Sequence, residues 1–484
     1  MESAVLPGSD DNSAEKRDCR RRRMVHFVFV ILATSLAIVF VAAGLKRASR
    51  STLWLDEVHA LQQSRRGESY GRLLVRGPAG QMSPAPLSYV FEKILDDVRR
   101  PARYLGLSPF AYYRLFSIGP TALLGLLACF VVWTRIRRNA PGVYALQALL
   151  MAGSLGAFYF QHDVFHYATE MRPYALWNSL WFLALVLSTC RCSPPIQAVV
   201  LTLTAMAATA TVLQIFALGL ALAIVMRMEG AEWKKTFGQG LEILLVPSIV
   251  ALYYSLRTAQ WSFETYGSWS GFLKFWLRSA FGFWIITGAA CALVWAKRDL
   301  RRYAVGPTAM ILLLLVGPVA FFAASQKGMV YSPRHYMYWG LAWPAALMVL
   351  ALAAPAVLAG RARNLRIAAC ILVVAVAALN ITGGLKRRVK EYPPGRAGTA
   401  FLQAGSEIRE FLRTERPAFI RHDPAMDPVL VYNLQLLAEW IPVSFPGAHS
   451  SGREVLIRQR GTELVAVILK EPASNDLARI PVPP

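Results

Sequence analysis

Apolar stretches recur along most of the chain, separated by short segments dense in Arg and Lys. About eleven of them approach the ~20 residues that carry a helix across a bilayer. They are Met24–Leu45, Phe116–Trp133, Val143–Phe160, Tyr174–Cys190, Ile196–Thr211, Val212–Met228, Gly240–Leu256, Phe281–Ala296, Ala304–Ala324, Met337–Leu358 and Ile367–Gly384. The run Ile196–Met228 is too long for one span and short for two, so a tight hairpin is expected there. The tail changes period. It reads as an amphipathic helix near Phe401–Arg413, a strand near Ala418–Arg421, a helix near Pro428–Ala438, and strands around Val455–Gln459 and Leu464–Leu469. Pro393-Pro394-Gly395 reads as a linker before it.

The expected fold is therefore mainly α: a polytopic membrane helical bundle of about eleven transmembrane helices with a small extracytoplasmic α/β C-terminal domain. Residues 1–23 form a cytoplasmic basic arm and residues 24–384 the transmembrane module, whose first outer loop covers 46–115; residues 385–484 form the outer domain. Charge fixes the sidedness of this reading. The short loops placed inside hold Arg135/Arg137/Arg138, Arg191, Arg227/Lys234/Lys235, Lys297/Arg298/Arg301/Arg302 and Arg361/Arg363/Arg366, in keeping with the positive-inside rule. Removing one helix of the doubtful hairpin would turn the later clusters outward. The block Arg20–Arg23 ahead of Met24 makes the first run a signal anchor, since it is long for a signal peptide and no clear small-x-small cleavage site follows.

Composition agrees. Of 484 residues, 55% are hydrophobic and 17% charged, and the mean hydropathy is +0.39. Soluble domains carry nearer a quarter charged residues. The net charge of +23 would suggest nucleic acid on a soluble protein, but here it sits in clusters between apolar runs, as membrane topology requires. Cys129, Cys291 and Cys370 lie in apolar runs, and Cys19, Cys190 and Cys192 in segments read as cytoplasmic, so no disulfide framework is implied.

Three outer segments carry candidate chemistry. Asp56 and Glu57 lie about ten residues past the first apolar run, near the lipid–water boundary, with Trp54 as an interfacial anchor. Partial desolvation there raises a carboxylate toward the range of a useful base; the alternative is a solvated acid paired with Arg65 or Arg66. The second segment runs from Gln161 to Tyr174. His162, Asp163 and His166 are weak candidates for a divalent metal, against simple hydrogen bonding at an interface. Arg172 at a helix end suits a phosphate, or equally a lipid headgroup. The third segment is Tyr331–Trp339, where Arg334 stands among aromatic-belt residues.

The order of these motifs resembles the GT-C glycosyltransferases, closest to the superfamily of dolichyl-phosphate-mannose protein mannosyltransferases and lipid A aminoarabinose transferases. The matching residues are Asp56-Glu57, Pro84-Ala85-Pro86-Leu87-Ser88-Tyr89, Arg114-Leu115, Glu170-Met171-Arg172-Pro173-Tyr174-Ala175-Leu176 and Arg334-His335-Tyr336. The resemblance covers about Trp54 to Pro344 and extends loosely to the outer α/β tail; the family's usual His-Pro-Pro stands here as Pro84-Ala85-Pro86, and one of its paired Tyr is Ser88. The resemblance implies Asp56 as catalytic base with Glu57 beside it. It also implies Arg172 and Arg334, with Tyr174 and Tyr336, around the donor phosphate. Arg72 and Arg76 belong to an outer loop whose positive charge the positive-inside rule does not explain; with Tyr89 they are read as drawing an anionic acceptor toward Asp56, and binding of anionic headgroups is the equal alternative. The donor would be a polyprenyl-phosphate sugar and the acceptor a lipid, glycan or protein, with an anionic acceptor fitting the Arg-rich loop. No cofactor is demanded; a divalent metal is compatible with the family. The expected location is a bacterial inner (plasma) membrane with the N-terminus inside and the tail outside. The inside loops lack a Gly-rich phosphate loop and an Asp-x-Asp, which argues against a nucleotide sugar. Two other classes compete: a transporter or flippase for an anionic lipid or glycan, and a non-catalytic scaffold. A transporter would place charge at mid-membrane depth on broken helices, whereas these runs carry almost none.

Overall fold

The computed structural model describes residues 10–50, 53, 55–65, 69–76, 85–99, 106–136, 143–258, 269–326, 338–358, 419–422, 426, 428–440, 454–460, 463–469 and 478–481. It divides into two compact units, Met1–Phe40 with Thr121–Val164 and Trp177–Leu385, and Val41–Pro120 with Phe165–Leu176 and Lys386–Pro484.

The first unit is built of apolar helices, and the chain is a mainly α-helical membrane protein. Five helices among the described residues are long and apolar enough to cross a bilayer: Cys19–Ser49, Leu115–Ile136, Thr211–Met228, Trp233–Arg257 and Tyr338–Val357. The helix Trp233–Thr258 exposes Leu245, Ile249, Leu252 and Leu256 at helical spacing. Such a stripe is a liability in water and ordinary in lipid. Prolines inside the helices free carbonyls that a bilayer core cannot hydrate. Pro355 leaves Ala351 without its usual donor, and Gln147 Nε2 donates to Ala351 O at 2.8 Å. Pro318 does the same to Leu314, whose carbonyl accepts from Trp276 Nε1 at 3.1 Å. Gly125 allows close helix packing: a Cβ there would lie 2.8 Å from the Tyr159 ring.

The expected hairpin near Ile196–Met228 is present as two helices, Pro194–Ala207 and Thr211–Met228, parted where Ala208 turns extended. The first has only 14 residues, about 21 Å at 1.5 Å per residue and short of a ~30 Å hydrocarbon core. Helix α1 starts at Asp10 and continues to Arg50, taking in the second half of the basic arm. Once the apolar run nucleates a helix, Glu, Lys and Arg extend it readily. The run expected at Phe281–Ala296 lies inside a longer helix, Trp269–Ala296. The expected span Ile367–Gly384, the linker Pro393-Pro394-Gly395 and the helix near Phe401–Arg413 lie outside the described residues.

The second unit joins the loop that follows the first apolar helix to the tail. The loop contributes α2 (Leu55–Arg65), α3 (Tyr70–Arg76), α4 (Leu87–Asp97) and a short helix Pro109–Tyr113. The tail contributes the helix Pro428–Glu439 and a four-stranded sheet in the order β3-β2-β1-β4. The strands are β1 (Phe419–His422), β2 (Glu454–Arg460), β3 (Glu463–Leu469) and β4 (Ala478–Pro481). β1 and β2 run parallel with Phe419 opposite Glu454, as expected when a helix crosses between them. β3 is antiparallel to β2, and β4 antiparallel to β1.

One core serves both parts: Leu53, Val58 and Leu61 of the loop are buried with Leu434, Leu437 and Trp440 of the tail. Asn433 fastens them by accepting from Leu53 N at 2.9 Å and donating to Leu53 O at 2.8 Å. The sequence-based division, with the loop in the membrane module and the tail apart, therefore differs from the division the packing makes. The cause is apolar surface that neither part can bury alone.

Candidate active site

Glu57 and Arg114 are the centre of the second unit. Glu57 is fully buried and Arg114 is 1% exposed. Arg114 grips the carboxylate with two bonds, Nε to Oε1 at 3.0 Å and Nη2 to Oε2 at 2.6 Å. Its third nitrogen, Nη1, donates to Ala48 O at 3.0 Å. Glu57 Oε1 also accepts from the backbone N–H of Met171. The pair thus fastens the end of α1, the start of α2, the junction before the helix Leu115–Ile136 and the turn at Met171. Local sequence prepares this. Ser108 caps the short helix by accepting from Ala111 N, with Pro109 at its first position, and Arg114 occupies the break before the next helix.

The turn at Met171 presents Arg172. Pro173 starts the helix Pro173–Thr189 and disfavours helical backbone at the residue before it. Ser117 Oγ donates to Arg172 O at 3.2 Å, and the guanidinium lies 5.7 Å from the centre of the Tyr174 ring. Beside it runs a chain of side chains. Arg47 Nη2 donates to His166 Nδ1 at 2.8 Å, and His166 Nε2 meets Glu170 Oε1 at 3.0 Å. Burial alone would push the Glu170 carboxyl up. The hydrogen bond and the charge of His166, with the charges of Arg114 and Arg172, outweigh it and hold Glu170 below the ordinary glutamate value.

Glu92 on α4 completes the cluster. It is 1% exposed, and its Oε2 is buried with no hydrogen-bond partner among the described residues. Burial pushes its carboxyl well above the ordinary value; the nearby Glu57 carboxylate adds to this and Arg172 opposes it. The arrangement offers a half-buried cation, Arg172, framed by fixed charges, next to the helix that carries Asp56.

Asp56 is the second residue of α2, and its side chain lies outside the described residues, as do Arg334 and Tyr336 altogether. Glu57 is held in a closed ion pair, so its part is to position α2 and Arg172. Tyr89 is 7% exposed on α4, and Arg72 is exposed on α3, while the Arg76 side chain is outside the described residues. Arg65 does not stand open toward an acceptor: it bonds Asp96 at 2.9 Å, Tyr113 at 2.7 Å and Glu439 at 3.2 Å. His162 and Asp163 lie on the helix His162–Ala168 with side chains outside the described residues, and both ring nitrogens of His166 are taken by protein groups. Among the described residues no group of three or more His, Cys, Asp or Glu could hold a metal.

The sequence reading named Arg114 only as part of a motif and did not single out Glu92. The available signal for Glu92 was the polar series Ser88, Glu92, Asp96, one turn apart on a helix whose buried face should be apolar.

No family model, no curated protein and no solved structure matches this chain.

Proposed function

We propose that the protein is an integral-membrane glycosyltransferase that moves a sugar from a polyprenyl-phosphate donor to an acceptor hydroxyl at the outer membrane surface. The observation that carries this reading is the shared anchoring of two elements. Glu57 holds both α2, which bears Asp56, and the Met171 turn, which presents Arg172. Asp56 takes the proton from the acceptor O–H as its oxygen bonds to the anomeric carbon. The anomeric C–O bond to phosphate breaks on the opposite face, so the configuration inverts. Arg172, joined by Arg334, stabilises the departing polyprenyl phosphate, because guanidinium groups pair with phosphate oxygens and act strongly in a water-poor site. About eleven spans, an outward-facing tail and a bacterial inner membrane belong to this reading.

The test supplies purified protein with a panel of polyprenyl-phosphate sugars and follows release of polyprenyl phosphate. Asp56→Asn keeps the shape of the side chain and loses its basicity, so turnover falls by about 10²–10⁴ with unchanged melting. Near-normal turnover by this variant overturns the base assignment. Arg172→Ala weakens donor binding by about tenfold or more; an unchanged donor KM overturns the phosphate site.

A further inference from the structure

Two helices of the first unit end side by side in the same hydrogen-bonded turn. After Pro173–Thr189, Arg191 N–H donates to Ser188 O at 3.2 Å and Cys192 N–H to Leu187 O at 2.9 Å. After Thr211–Met228, Gly230 N–H donates to Arg227 O at 3.0 Å and Ala231 N–H to Met226 O at 2.9 Å. Each turn needs one residue with positive φ, which glycine adopts without strain. Gly230 supplies it at φ 86°, whereas the first turn has Arg191 at φ 50°. Among the described residues Arg191 is the only residue other than glycine with positive φ. An arginine held where glycine fits best points to a use for its side chain.

That side chain gathers charge. Arg191 Nη2 donates to both oxygens of Glu229, at 3.0 and 2.9 Å, and its Nε donates to Arg302 O at 3.4 Å. Arg135, in the last turn of the helix Leu115–Ile136, reaches Arg191 O with Nη2 at 3.5 Å. The Arg302 guanidinium lies 4.8 Å from the centre of the Tyr303 ring. Burial raises the Tyr303 phenol above its ordinary value and both Arg302 and Arg135 act against this, so both guanidinium groups lie near it. Three guanidinium groups thus share one carboxylate, and among the described residues Arg135 and Arg302 pair with no acid. Two positive charges are left to repel each other, which an anion would relieve. The cluster lies where Leu115–Ile136 and Thr211–Met228, both long and apolar enough to cross a bilayer, come to an end. Close to Glu229 in the chain, Met228, Trp233 and Phe237 are exposed. Orienting the protein in the membrane asks only for positive charge in the loops, which the exposed Lys234 and Lys235 also supply; it does not ask for an arginine in a left-handed turn. We propose that this end of the first unit is a binding site for an anionic phospholipid: Arg135 and Arg302 take the phosphodiester, Arg191 ties the two together while anchored on Glu229, and the exposed apolar side chains meet the acyl chains. The site does not depend on the sugar-transfer reading.

The test titrates the purified full-length protein, in a neutral detergent, with didecanoyl phosphatidylglycerol or didecanoyl phosphatidylcholine and reads Kd by native mass spectrometry. The wild type should bind the anionic lipid about tenfold or more tightly than the zwitterionic one, since each basic side chain near a lipid surface contributes several-fold. The double change Arg135→Gln with Arg302→Gln should lose this preference while melting without lipid stays as in the wild type. Lys234→Gln with Lys235→Gln removes the same amount of charge and should keep the preference. Glu229→Gln frees the Arg191 guanidinium and should bind phosphatidylglycerol several-fold more tightly, a gain that no loss of fold imitates. A wild type without preference, or a preference that survives the double arginine change, overturns the proposal. Equal losses in the arginine and lysine pairs overturn it as well, because they mark a general effect of surface charge. So does a Glu229→Gln variant that binds no more tightly than wild type. Inorganic phosphate that displaces phosphatidylglycerol at equal concentration would assign the site to a free anion and overturn the lipid.

Discussion

Asp96 and Glu92 lie one turn apart on the same buried face of α4, yet their surroundings are opposite. Asp96 meets two guanidinium groups and a phenol, and through Arg65 it reaches Glu439 of the tail. Glu92 meets a carboxylate and a single cation at a distance, with an oxygen left unanswered. The first arrangement satisfies every demand a buried charge makes and so reads as architecture. The second leaves a cost in place, which a fold retains where chemistry uses it. Glu57 shows the same contrast from the other side: it belongs to the motif that suggests catalysis, yet its bonds to Arg114 and Met171 make it a fastening.

The largest test of this contrast removes one half of the closed pair. Glu57→Ala or Arg114→Ala leaves a buried charge uncompensated and should cost about 3–5 kcal/mol, so detergent-purified protein should melt far lower or fail to accumulate. The double change Glu57→Met with Arg114→Leu should recover much of that loss, since two apolar side chains avoid the desolvation of both ions. A double variant as unstable as the single ones would show that the pair does more than join segments.

At the Asp96 end the effect should be smaller. Asp96→Ala strands hydrogen-bond donors of Tyr113 and Arg65, at about 1–3 kcal/mol. Asn433→Ala removes both bonds to Leu53 and should cost a comparable amount. Because Leu53 lies just ahead of α2, turnover should drop in Asn433→Ala even where melting shows most of the protein folded. Full turnover in that variant would separate the tail from the site.

Glu170 and Glu92 predict pH effects of opposite sign. Glu170 is depressed in the folded protein, so its contribution is present above the ordinary value of about 4.5 and is lost as pH falls through its lower folded value. Glu92 is raised, so folding takes up a proton above about 4.5, and its neutral form becomes a growing cost until pH passes the folded value. Melting followed against pH should show Glu170→Gln losing part of the acid-limb slope, and Glu92→Gln gaining stability relative to wild type as pH rises. The same slope in wild type and Glu92→Gln would mean that Glu92 ionises in the fold as it does in the unfolded chain.

The smallest effect concerns the acceptor side. Arg65, Arg99 and Lys93 are engaged with Asp96 and Asp97, which leaves less of the loop's positive charge for an anionic acceptor than the sequence suggests. Arg72 is exposed on α3, and Arg72→Ser should raise the acceptor KM only a few-fold, an effect that about 0.5 M salt should mimic by screening. A larger change would place the acceptor on α3.

Much of this molecule is legible in the order of its residues. The apolar runs place the helices Tyr144–Phe160, Thr211–Met228 and Leu115–Ile136 to within a residue or three. Strands read near Val455–Gln459 and Leu464–Leu469 lie at Glu454–Arg460 and Glu463–Leu469. Strand β4, only four residues ending in Pro481, carried no such pattern. These features are local: hydrogen bonding within a helix and alternation along a strand depend on neighbours a few positions away. What each acid does was decided by the tertiary structure. Glu57 meets an arginine 57 positions on, Asp96 reaches Glu439 through Arg65, and Glu92 has a buried oxygen that meets no partner. Whether a carboxylate is a base, a fastening or a proton store depends on its loss of water and on the charges that replace it. Both are set by contacts between distant segments, which no local pattern records.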